Sequence, residues 1–399
     1  MRTAIIGGGA AGFFLAVSLK EMLPSMGVTV FERTGKVLSK VRISGGGRCN
    51  CTNSFDNVSD VSQVYPRGHR LMKRLFNVFD YRDAYRWFEA HGVPLVTQSD
   101  GCVFPAVQDS QAVIDSFLGH AARLGVAVSC NTRIESLASL SDFDFVAVAT
   151  GGSPSGKGLQ WLADCGHQLE PPVPSLFSFS IADERLRSLQ GLVAPAADVS
   201  LPGTKLRASG PLLITHWGLS GPAILRLSSY AARHLAGAGY ASPICISWTG
   251  RAEDEVRESL VSLAAANGGK MLSTVSPLGL SSRLWEYLLE KSVGSRMQLR
   301  WSDVGKKDFN RIVNAVAADV CQIVGRAPFK DEFVTCGGVS LKSVNLATLE
   351  SRSVPNLFFA GEVLDVDGVT GGFNFQAAWT TAYTVAQSIS QKAAALSAV

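Results

Sequence analysis

Three glycines close to the N-terminus have the spacing of a loop that holds a diphosphate. Gly7, Gly9 and Gly12 occupy the GxGxxG positions between an apolar strand at residues 2–6 and a run with helical apolar spacing. In such a loop the first glycine permits a sharp turn, the second lets the backbone approach a pyrophosphate, and the third lets the helix pack closely on the strand. The N-terminus of the helix then faces the anion.

A carboxylate follows this loop at a characteristic distance. The second apolar strand, at residues 28–31, ends in Glu32, which comes twenty residues after Gly12. A carboxylate at this position accepts hydrogen bonds from both hydroxyls of an adenosine ribose. The alternative is a turn that is merely rich in glycine, but strand, turn, helix and acid together predict a dinucleotide site.

A second group of chemically suggestive residues lies in the loop that follows. Three adjacent glycines at 45–47 expose several backbone N–H groups, and Lys40, Arg42 and Arg48 add positive charge. Such a loop can line a diphosphate or the edge of an electron-rich ring. The alternative is a flexible surface loop.

Composition narrows the class of protein. A chain of 399 residues with 46% hydrophobic content can bury a large core and divides by length into two or three domains. A net charge of +4 suits an anionic cofactor but falls short of the basic stripe of a nucleic-acid binder. Eight scattered cysteines without a CxxC pair indicate a reducing compartment and no metal site. No apolar run is long enough to span a bilayer. We therefore expect a cytoplasmic protein without a membrane partner.

The remaining pattern predicts a discontinuous α/β domain with a two-part insertion. Helical runs and buried strands, with GCVFP at 101–105 as a hairpin edge, indicate a parallel sheet in the N-terminal part. The predicted α/β domain comprises 1–170 and 331–399, interrupted by a β-rich domain at 171–250 and a helical subdomain at 251–330, in which the apolar spacing of 312–323 reads as helix. After the insertion, the strand NLFFA and the glycines at 371–372 lead into a last helix, whose N-terminus is a second place for an anion.

Seven motifs in order carry a resemblance to a known family. The chain resembles the HI0933-like flavoproteins, also described as BaiN-type or aminoacetone-oxidase-like NAD(P)/FAD-dependent oxidoreductases, over almost its whole length. The motifs are GGGAAG, SGGGRCNCTN, GCVFP, VATGG, THWGLSGPAIL, TCGGVSL and FFAGEVLDVDGVTGGFNFQAAW. The segment 153–158 after VATGG is shorter than the family pattern. We expect this difference to lie near the inserted domains and so to affect the identity of the substrate and not the binding of the flavin.

The resemblance implies a glutathione-reductase-like two-dinucleotide-binding fold that holds FAD. It assigns the pyrophosphate to Gly7, Gly9, Ala11 and Gly12, and the adenosine side to Glu32 and Arg33. The loop that runs from the pyrophosphate to the flavin ring is assigned to Lys40, Ser44, Gly45, Gly46, Gly47, Arg48, Cys49 and Asn50. The ribityl region is assigned to Gly361, Glu362 and Asp365, and the flavin ring to Gly372, Phe373 and Asn374.

Two residues are candidates for catalysis beside the flavin. His216, between a strand and the turn GLSGP, can move a proton while the flavin moves a hydride, although a structural histidine is the simpler interpretation. Arg48 either stabilises an anionic reduced flavin or fixes its loop. The closely spaced Cys49 and Cys51 lack the spacing of a redox-active pair.

The resulting hypothesis is an FAD-dependent oxidoreductase that uses NAD(P)H to reduce an unsaturated or carbonyl-containing small molecule. Because no second GxGxxG unit is present, NAD(P)H is expected to bind only transiently. The alternatives are an amine oxidase that passes electrons to oxygen, a protein that uses FAD structurally, and a flavoprotein acting on RNA. For the last, the noticeable basic cluster is Lys306, Lys307 and Arg311, which a solvated helix face also explains.

Overall fold

The computed structural model describes residues 1–327 and 334–397. Contacts divide the chain into two units, of which unit 1 runs from Met1 to Val173 and resumes at Val334, and unit 2 begins at Pro174. The predicted return to the first domain at residue 331 lies outside the described residues. The predicted boundary at residue 250 remains a prediction.

The first part of unit 1 alternates strands and helices. The elements are β1 (Arg2–Ile6), α1 (Ala10–Met22), β2 (Gly27–Phe31), α2 (Ser39–Gly47), β3 (Thr52–Asn53), α3 (His69–Leu75), α4 (Tyr81–Ala90), β4 (Leu95–Thr97), β5 (Cys102–Pro105), α5 (Gln111–Arg123), β6 (Ala127–Ser129), β7 (Phe145–Val148), α6 (Gln160–Asp164) and β8 (Leu169–Ser175).

Unit 2 follows, and the chain then returns to unit 1. The elements of unit 2 are β9 (Phe179–Ile181), α7 (Glu184–Arg187), β10 (Val193–Ser200), β11 (Arg207–Ile214), β12 (Gly218–Ser220), α8 (Pro222–Tyr230), α9 (Ala232–Gly237), β13 (Ser242–Ser247), α10 (Glu253–Ala266), α11 (Ser282–Val293), α12 (Lys306–Ala317) and β14 (Asp319–Arg326). Unit 1 is completed by β15 (Val334–Val339), β16 (Leu357–Phe359) and α13 (Phe373–Ser397).

A five-stranded parallel sheet forms the centre of unit 1. Its strand order is β16-β7-β1-β2-β6, and every pair in it is parallel. The central strand β1 is almost entirely buried, which explains its uninterrupted apolar sequence. This sheet confirms the predicted α/β class. It also places the carboxyl ends of β1 and β2, where Gly7 and Glu32 stand, at the same edge.

Helices α1 and α13 pack together beside this sheet, and aromatic side chains fill the space around them. The ring of Phe14 on α1 lies 5.2 Å from that of Trp379 on α13 and 4.4 Å from that of Trp87 on α4. Both helices are thereby held by buried contacts along their length. Their N-termini, which the sequence predicts as anion sites, belong to rigidly packed elements.

Unit 2 is built around a closed six-stranded barrel with the order β10-β11-β12-β9-β14-β13. Its strands and the helices α8, α10, α11 and α12 contribute to one hydrophobic core. The Asp319 carboxylate is buried in this unit, where it accepts a hydrogen bond from Trp248 Nε1 at 3.1 Å and pairs with Lys291. The inserted β-rich module of the prediction is therefore a barrel.

Three local predictions were wrong. The helix expected over 312–323 ends at Ala317, and β14 follows with alternating burial, because Asp319, Cys321 and Ile323 face the barrel interior. The segment GCVFP is not an edge, since β5 lies between β3 and β4 in a small antiparallel sheet. Part of the loop after Glu32 is the short helix α2.

None of the helices within residues 1–327 and 334–397 combines the length and the apolar character that crossing a membrane requires.

Candidate dinucleotide and flavin site

The turn between β1 and α1 has the geometry that a diphosphate requires. Gly7 has a φ of +115°, and a Cβ there would lie 2.3 Å from the carbonyl oxygen of Ala149. A Cβ on Gly12 would lie 2.0 Å from the carbonyl oxygen of Gly7, so the third glycine permits close packing of helix on strand. A Cβ on Gly9 would meet no atom within 4 Å. The space next to Gly9 is open.

The N-terminus of α1 faces this open space without a side-chain cap. Gly9 is the N-cap residue, no side chain bonds the first turn, and no acidic residue lies in that turn. The first backbone N–H groups of a helix have no partner within the helix, and the positive end of its dipole attracts an anion. The turn therefore offers a diphosphate unused donors in a rigid frame.

Glu32 lines a pocket of about 470 Å³ at the carboxyl ends of β1 and β2. Its Oε2 accepts the N–H of Gly8 at 2.9 Å, and its Oε1 accepts the N–H and hydroxyl of Thr34 at 2.9 and 2.8 Å. These bonds fix the carboxylate at the mouth of the glycine turn. Arg33 also lines the pocket, as the adenosine-side assignment requires.

The segment after β7 forms the other wall of this pocket. Ser153, Pro154, Ser155, Lys157 and Gly158 all line it. The expectation that the departure at 153–158 lies toward the insertion was wrong, because these residues face Glu32 and belong to unit 1. The shortened segment thus lines the same pocket as Glu32, the residue predicted to bind the adenosine ribose.

The glycine loop at 45–47 interrupts α2 and turns the chain back. Gly45, Gly46 and Gly47 have φ values of +56°, +68° and +86°, which side chains rarely adopt. Gly46 and Gly47 have open space around them, whereas a Cβ on Gly45 would meet Phe104 and the backbone N of Asn50. The hydroxyl of Ser44 donates to the carbonyl of Val41 at 2.9 Å and so supports the turn.

Arg48 is anchored by three contacts. Its Nε donates to the carbonyl of Gly45 at 3.1 Å, its Nη1 donates to Gln108 Oε1 at 3.2 Å, and its guanidinium carbon lies 4.1 Å from the centre of the Phe104 ring. These contacts favour the loop-fixing interpretation of Arg48. Its role in catalysis stays a prediction.

An ion pair joins this loop to the segment after β16. Lys40 Nζ lies 2.7 Å from Glu362 Oε2, while Glu362 Oε1 accepts the N–H of Thr335 at 2.8 Å. A Cβ on Gly152 would lie 2.6 Å from Glu362 Oε1. Gly361 approaches the N-terminus of α1, since a Cβ there would lie 2.8 Å from the Cβ of Ala11. The residues predicted for pyrophosphate and ribityl contacts are therefore neighbours.

Two glycines bring the start of α13 against β3. Gly371 and Gly372 have φ values of +125° and +90°, and a Cβ on Gly372 would lie 2.2 Å from the carbonyl oxygen of Thr52. Phe373 is buried, and its carbonyl oxygen accepts the Tyr65 hydroxyl at 2.8 Å. The amide of Asn374 binds the N–H and the carbonyl of Gly368 at 2.8 and 2.9 Å. Asn374 thus closes its own loop.

Sequence reasoning missed a buried ion pair beneath this loop. Arg67 and Asp367 form a two-pronged pair in which the Asp367 side chain is fully buried, and a backbone bridge joins the two residues. Asp365 is held through its backbone N–H, which donates to the carbonyl of Val339 at 3.0 Å. An arginine three hundred residues from its partner has no local signal in the sequence.

Asn50 provides a test of whether the site fits a flavin. Its Oδ1 is buried and makes no hydrogen bond, and a Cβ on Gly372 would lie 2.8 Å from it. A buried acceptor without a partner costs free energy unless a ligand supplies a donor. With the open turn at Gly9 and the pocket at Glu32, it shows that the residues present fit a flavin dinucleotide.

The cysteines of the loop are unsuited to thiol chemistry. Cys49 and Cys51 are fully buried, and their Sγ atoms lie 3.8 Å apart as free thiols. Burial, and secondarily the hydrogen bond to Cys49, raises the pKa of the Cys51 thiol well above its ordinary value. The thiolate that disulfide exchange requires is therefore disfavoured.

His216 belongs to unit 2, at the tip of the hairpin that joins β11 to β12. The hairpin closes through mutual backbone hydrogen bonds between Thr215 and Gly218, which leaves His216 and Trp217 in the turn. His216 is exposed, and its ring lies 4.2 Å from that of Trp217. Its assignment as a proton donor stays a prediction.

The sequence also shows which family the chain belongs to. Residues 1–388 match the family described as HI0933-like protein Rossmann domain. The chain belongs to the HI0933-like family. This membership confirms the predicted family and, with the parallel sheet and barrel insertion, the predicted fold class.

Individual relatives extend over nearly the whole chain. A ribosomal RNA dihydrouridine synthase of Haemophilus influenzae is 27% identical over 97% of this chain and 98% of its own. A 3-dehydro-bile acid delta(4,6)-reductase of Clostridium scindens is 26% identical over 98% of this chain and 99% of its own. An Escherichia coli ribosomal RNA dihydrouridine synthase is 26% identical over 96% and 97%.

Solved structures agree on the fold. The 3-ketosteroid delta1-dehydrogenase of Sterolibacterium denitrificans superimposes with a TM-score of 0.52 at 12% identity, covering 98% of this chain and 99% of that one. At this identity the likeness concerns the fold alone. Family and fold together identify the protein as an FAD-dependent oxidoreductase with an FAD-binding Rossmann domain.

Proposed function

We propose that this protein reduces a carbon–carbon double bond conjugated to a carbonyl group, with NAD(P)H as the source of electrons. When bound, FAD supplies hydride transfer. The observation that carries the proposal is the state of Cys49 and Cys51, which are buried free thiols, with the pKa of Cys51 raised by burial. Their burial disfavours a relay of electrons through these two thiols and favours direct hydride transfer to the substrate.

The names of the relatives support the same chemistry. Conversion of uridine to dihydrouridine saturates a double bond conjugated to a ring carbonyl, and reduction of a 3-dehydro bile acid at positions 4 and 6 saturates double bonds conjugated to the 3-oxo group. These substrates differ in size and charge, but the reacting group is an electron-poor alkene in both. The shared step, and not the substrate, is what we transfer to this chain.

The chain's own residues have three tasks in such a reaction. The turn at Gly9 and the carboxylate of Glu32 bind the dinucleotide, and the loop at 45–50 with the start of α13 orients its ring. The alkene carbon farther from the carbonyl group gains a hydride, and the alkene carbon next to the carbonyl group gains a proton. His216, an exposed residue of unit 2, is the candidate donor for that proton.

A second candidate substrate class is uridine in RNA, which one feature of unit 2 favours besides the relatives' names. Arg296 and Arg311 both pair with the buried carboxylate of Asp308, at 2.8 and 3.5 Å. Lys306 and Lys307 are exposed in the same helix as Arg311. We call these four basic residues the α12 surface and propose that its lysines bind the phosphate backbone of RNA.

The deciding experiment follows the flavin spectrum without oxygen. The FAD-loaded protein is reduced with NADH or NADPH and then mixed with a steroid 4,6-dien-3-one, with uridine-containing ribosomal RNA, or with buffer. Prompt reoxidation by either unsaturated substrate, with a saturated product, supports the proposal. If only RNA reoxidises the flavin, and if salt and the double substitution Lys306→Gln with Lys307→Gln both slow this reoxidation, RNA is the substrate.

The opposite result is equally clear. If neither unsaturated compound reoxidises the flavin, while an amine bleaches the oxidised protein, the enzyme is an amine oxidase and the proposal is wrong. If NADH and NADPH leave the oxidised flavin unchanged but dithionite-reduced protein still reduces the alkene, only the electron donor in the proposal is refuted.

A further inference from the structure

A second pocket lies entirely within unit 2, beside an irregularity of the barrel. The pairing of β10 with β11 shifts register between Ala194 and Ala197, which marks a β-bulge. A cavity of about 190 Å³ opens next to it. We call it the bulge pocket, and its lining includes Val193, Thr249, Arg251, Leu278, Leu280 and Ser281.

One polar atom inside this region has no partner. The hydroxyl oxygen of Thr249 is buried and makes no hydrogen bond. The neighbouring Trp248 already donates its indole N–H to Asp319 at 3.1 Å, and the Ser281 hydroxyl caps α11 by accepting the N–H of Leu284 at 3.4 Å. A buried hydroxyl costs free energy unless something hydrogen-bonds to it. Thr249 therefore indicates a missing polar group.

Arg251 is the one charged residue that lines the bulge pocket. It is exposed, and in the described part of the chain its side chain takes part in no hydrogen bond or ion pair. The nearest acid in sequence, Glu253, pairs with Arg257 at 2.9 Å. An arginine with free donors matches the two oxygens of a carboxylate.

The remaining walls determine what else the ligand carries. Apart from Thr249, Arg251 and Ser281, the lining consists of aliphatic, proline, glycine and tryptophan residues. A phosphate requires several donors, which this pocket does not have, whereas a single carboxylate is satisfied by one guanidinium and one hydroxyl. A cavity of about 150 Å³ accommodates a benzene-sized molecule, so a body of four to six carbons fits.

We propose that the bulge pocket is a binding site for a small monocarboxylic acid with an apolar body. The carboxylate pairs with Arg251, the Thr249 hydroxyl donates to it, and the apolar body contacts Leu278, Leu280 and Val193. The site is separate from the dinucleotide site, because every residue that lines it belongs to unit 2. It does not depend on the function proposed above.

The test uses 3-methylbutanoate as probe and its uncharged counterpart, 3-methylbutan-1-ol, on the FAD-loaded protein, with ligand-observed NMR and calorimetry as readouts. We expect saturable binding of one acid per chain with a dissociation constant of about 0.1–1 mM. The alcohol is expected to bind about tenfold more weakly or not at all, because it lacks the charge that Arg251 recognises.

Two variants and a matched control locate the binding. Arg251→Gln should weaken acid binding by about tenfold or more, and Thr249→Val by about three- to tenfold. Arg207→Gln, an exposed arginine near the opposite end of β10, should leave it unchanged. Denaturation curves and FAD content show that each variant is folded.

Three outcomes would overturn the proposal. The first is no saturable acid binding, which would mean that only water satisfies Thr249. The second is equal binding of acid and alcohol. The third is binding that Arg251→Gln and Thr249→Val both leave unchanged, which would place the acid elsewhere on the protein.

Discussion

Gly9 is the residue at which folding and cofactor binding can be separated. Its φ of −91° is open to any residue, and a Cβ there would meet no protein atom within 4 Å. A side chain at this position is therefore accommodated by the protein itself. It would, however, occupy the space in front of the α1 N-terminus, where the diphosphate is predicted to bind. Gly9→Val should fold and lose FAD.

The size of both effects follows from the local geometry. A glycine N-cap is better than valine by about 0.5–1 kcal/mol of helix stability, which is the expected loss in the free energy of unfolding without cofactor. A displaced diphosphate loses its hydrogen bonds to the first N–H groups of α1. Two charge-assisted bonds at about 1.5–3 kcal/mol each correspond to about 10²–10⁴-fold in the dissociation constant of FAD.

Flavin fluorescence measures the affinity, and urea denaturation of the cofactor-free protein measures the stability. Gly305→Val is the matched control, because Gly305 is also an N-cap without a side-chain bond and with open space around its Cβ position. It should show the same small loss of stability and full FAD affinity. Retention of FAD by Gly9→Val within threefold of the parent affinity would refute the assignment of the diphosphate to this turn.

Three further outcomes are expected from buried groups. Asp367→Asn removes the buried negative charge that faces the Arg67 guanidinium and should lower the free energy of unfolding by about 3–5 kcal/mol. Glu135→Gln, in an exposed ion pair, should change it by less than about 1 kcal/mol in the same denaturation assay. Iodoacetamide at pH 8 should label exposed Cys130 well before Cys51, whose raised pKa and burial suppress the thiolate, as mass spectrometry of the peptides will show. Burial, and secondarily the Asp319 carboxylate, raises the pKa of the Cys321 thiol to about 12 in the folded protein. As the pH rises, the thiol of the unfolded chain therefore ionises first, which stabilises the unfolded state. Between pH 9 and 12 the free energy of unfolding should fall more steeply in the parent than in Cys321→Ser, by up to about 1.4 kcal/mol per pH unit.

The part of the fold that binds the dinucleotide was predictable because its signals are local. The turn from β1 to α1 needs glycine at defined positions for steric reasons, and the apolar runs of β1 and β7 follow from burial on both faces. These signals can be recognised within short stretches of sequence, even though the contact that requires glycine at Gly7 is with the distant Ala149. The parallel pairing of β1 with β2 follows from the single helix α1 that connects them.

The parts that were misread depend on distant partners. Residues 319–326 have apolar positions compatible with a helix, and their strand structure is decided by pairing with β13 and β9 in the barrel. Likewise Arg67 is an unremarkable surface-type residue in sequence, and its burial depends on Asp367 three hundred positions later. Spacing along the chain carries no information about either contact.

The same distinction explains why the sequence and the fold specify the cofactor better than the substrate. A dinucleotide is held largely by backbone N–H groups at helix ends, and such backbone recognition requires glycine at fixed spacings, as in the open turn at Gly9. A substrate is recognised mainly by side chains on loops, whose identity no steric rule imposes. Relatives that match nearly the whole chain carry the names of a bile acid reductase and of a ribosomal RNA dihydrouridine synthase. The residues that decide between these substrates are expected in the barrel unit and its hairpins, where exchange of single side chains leaves the flavin site intact.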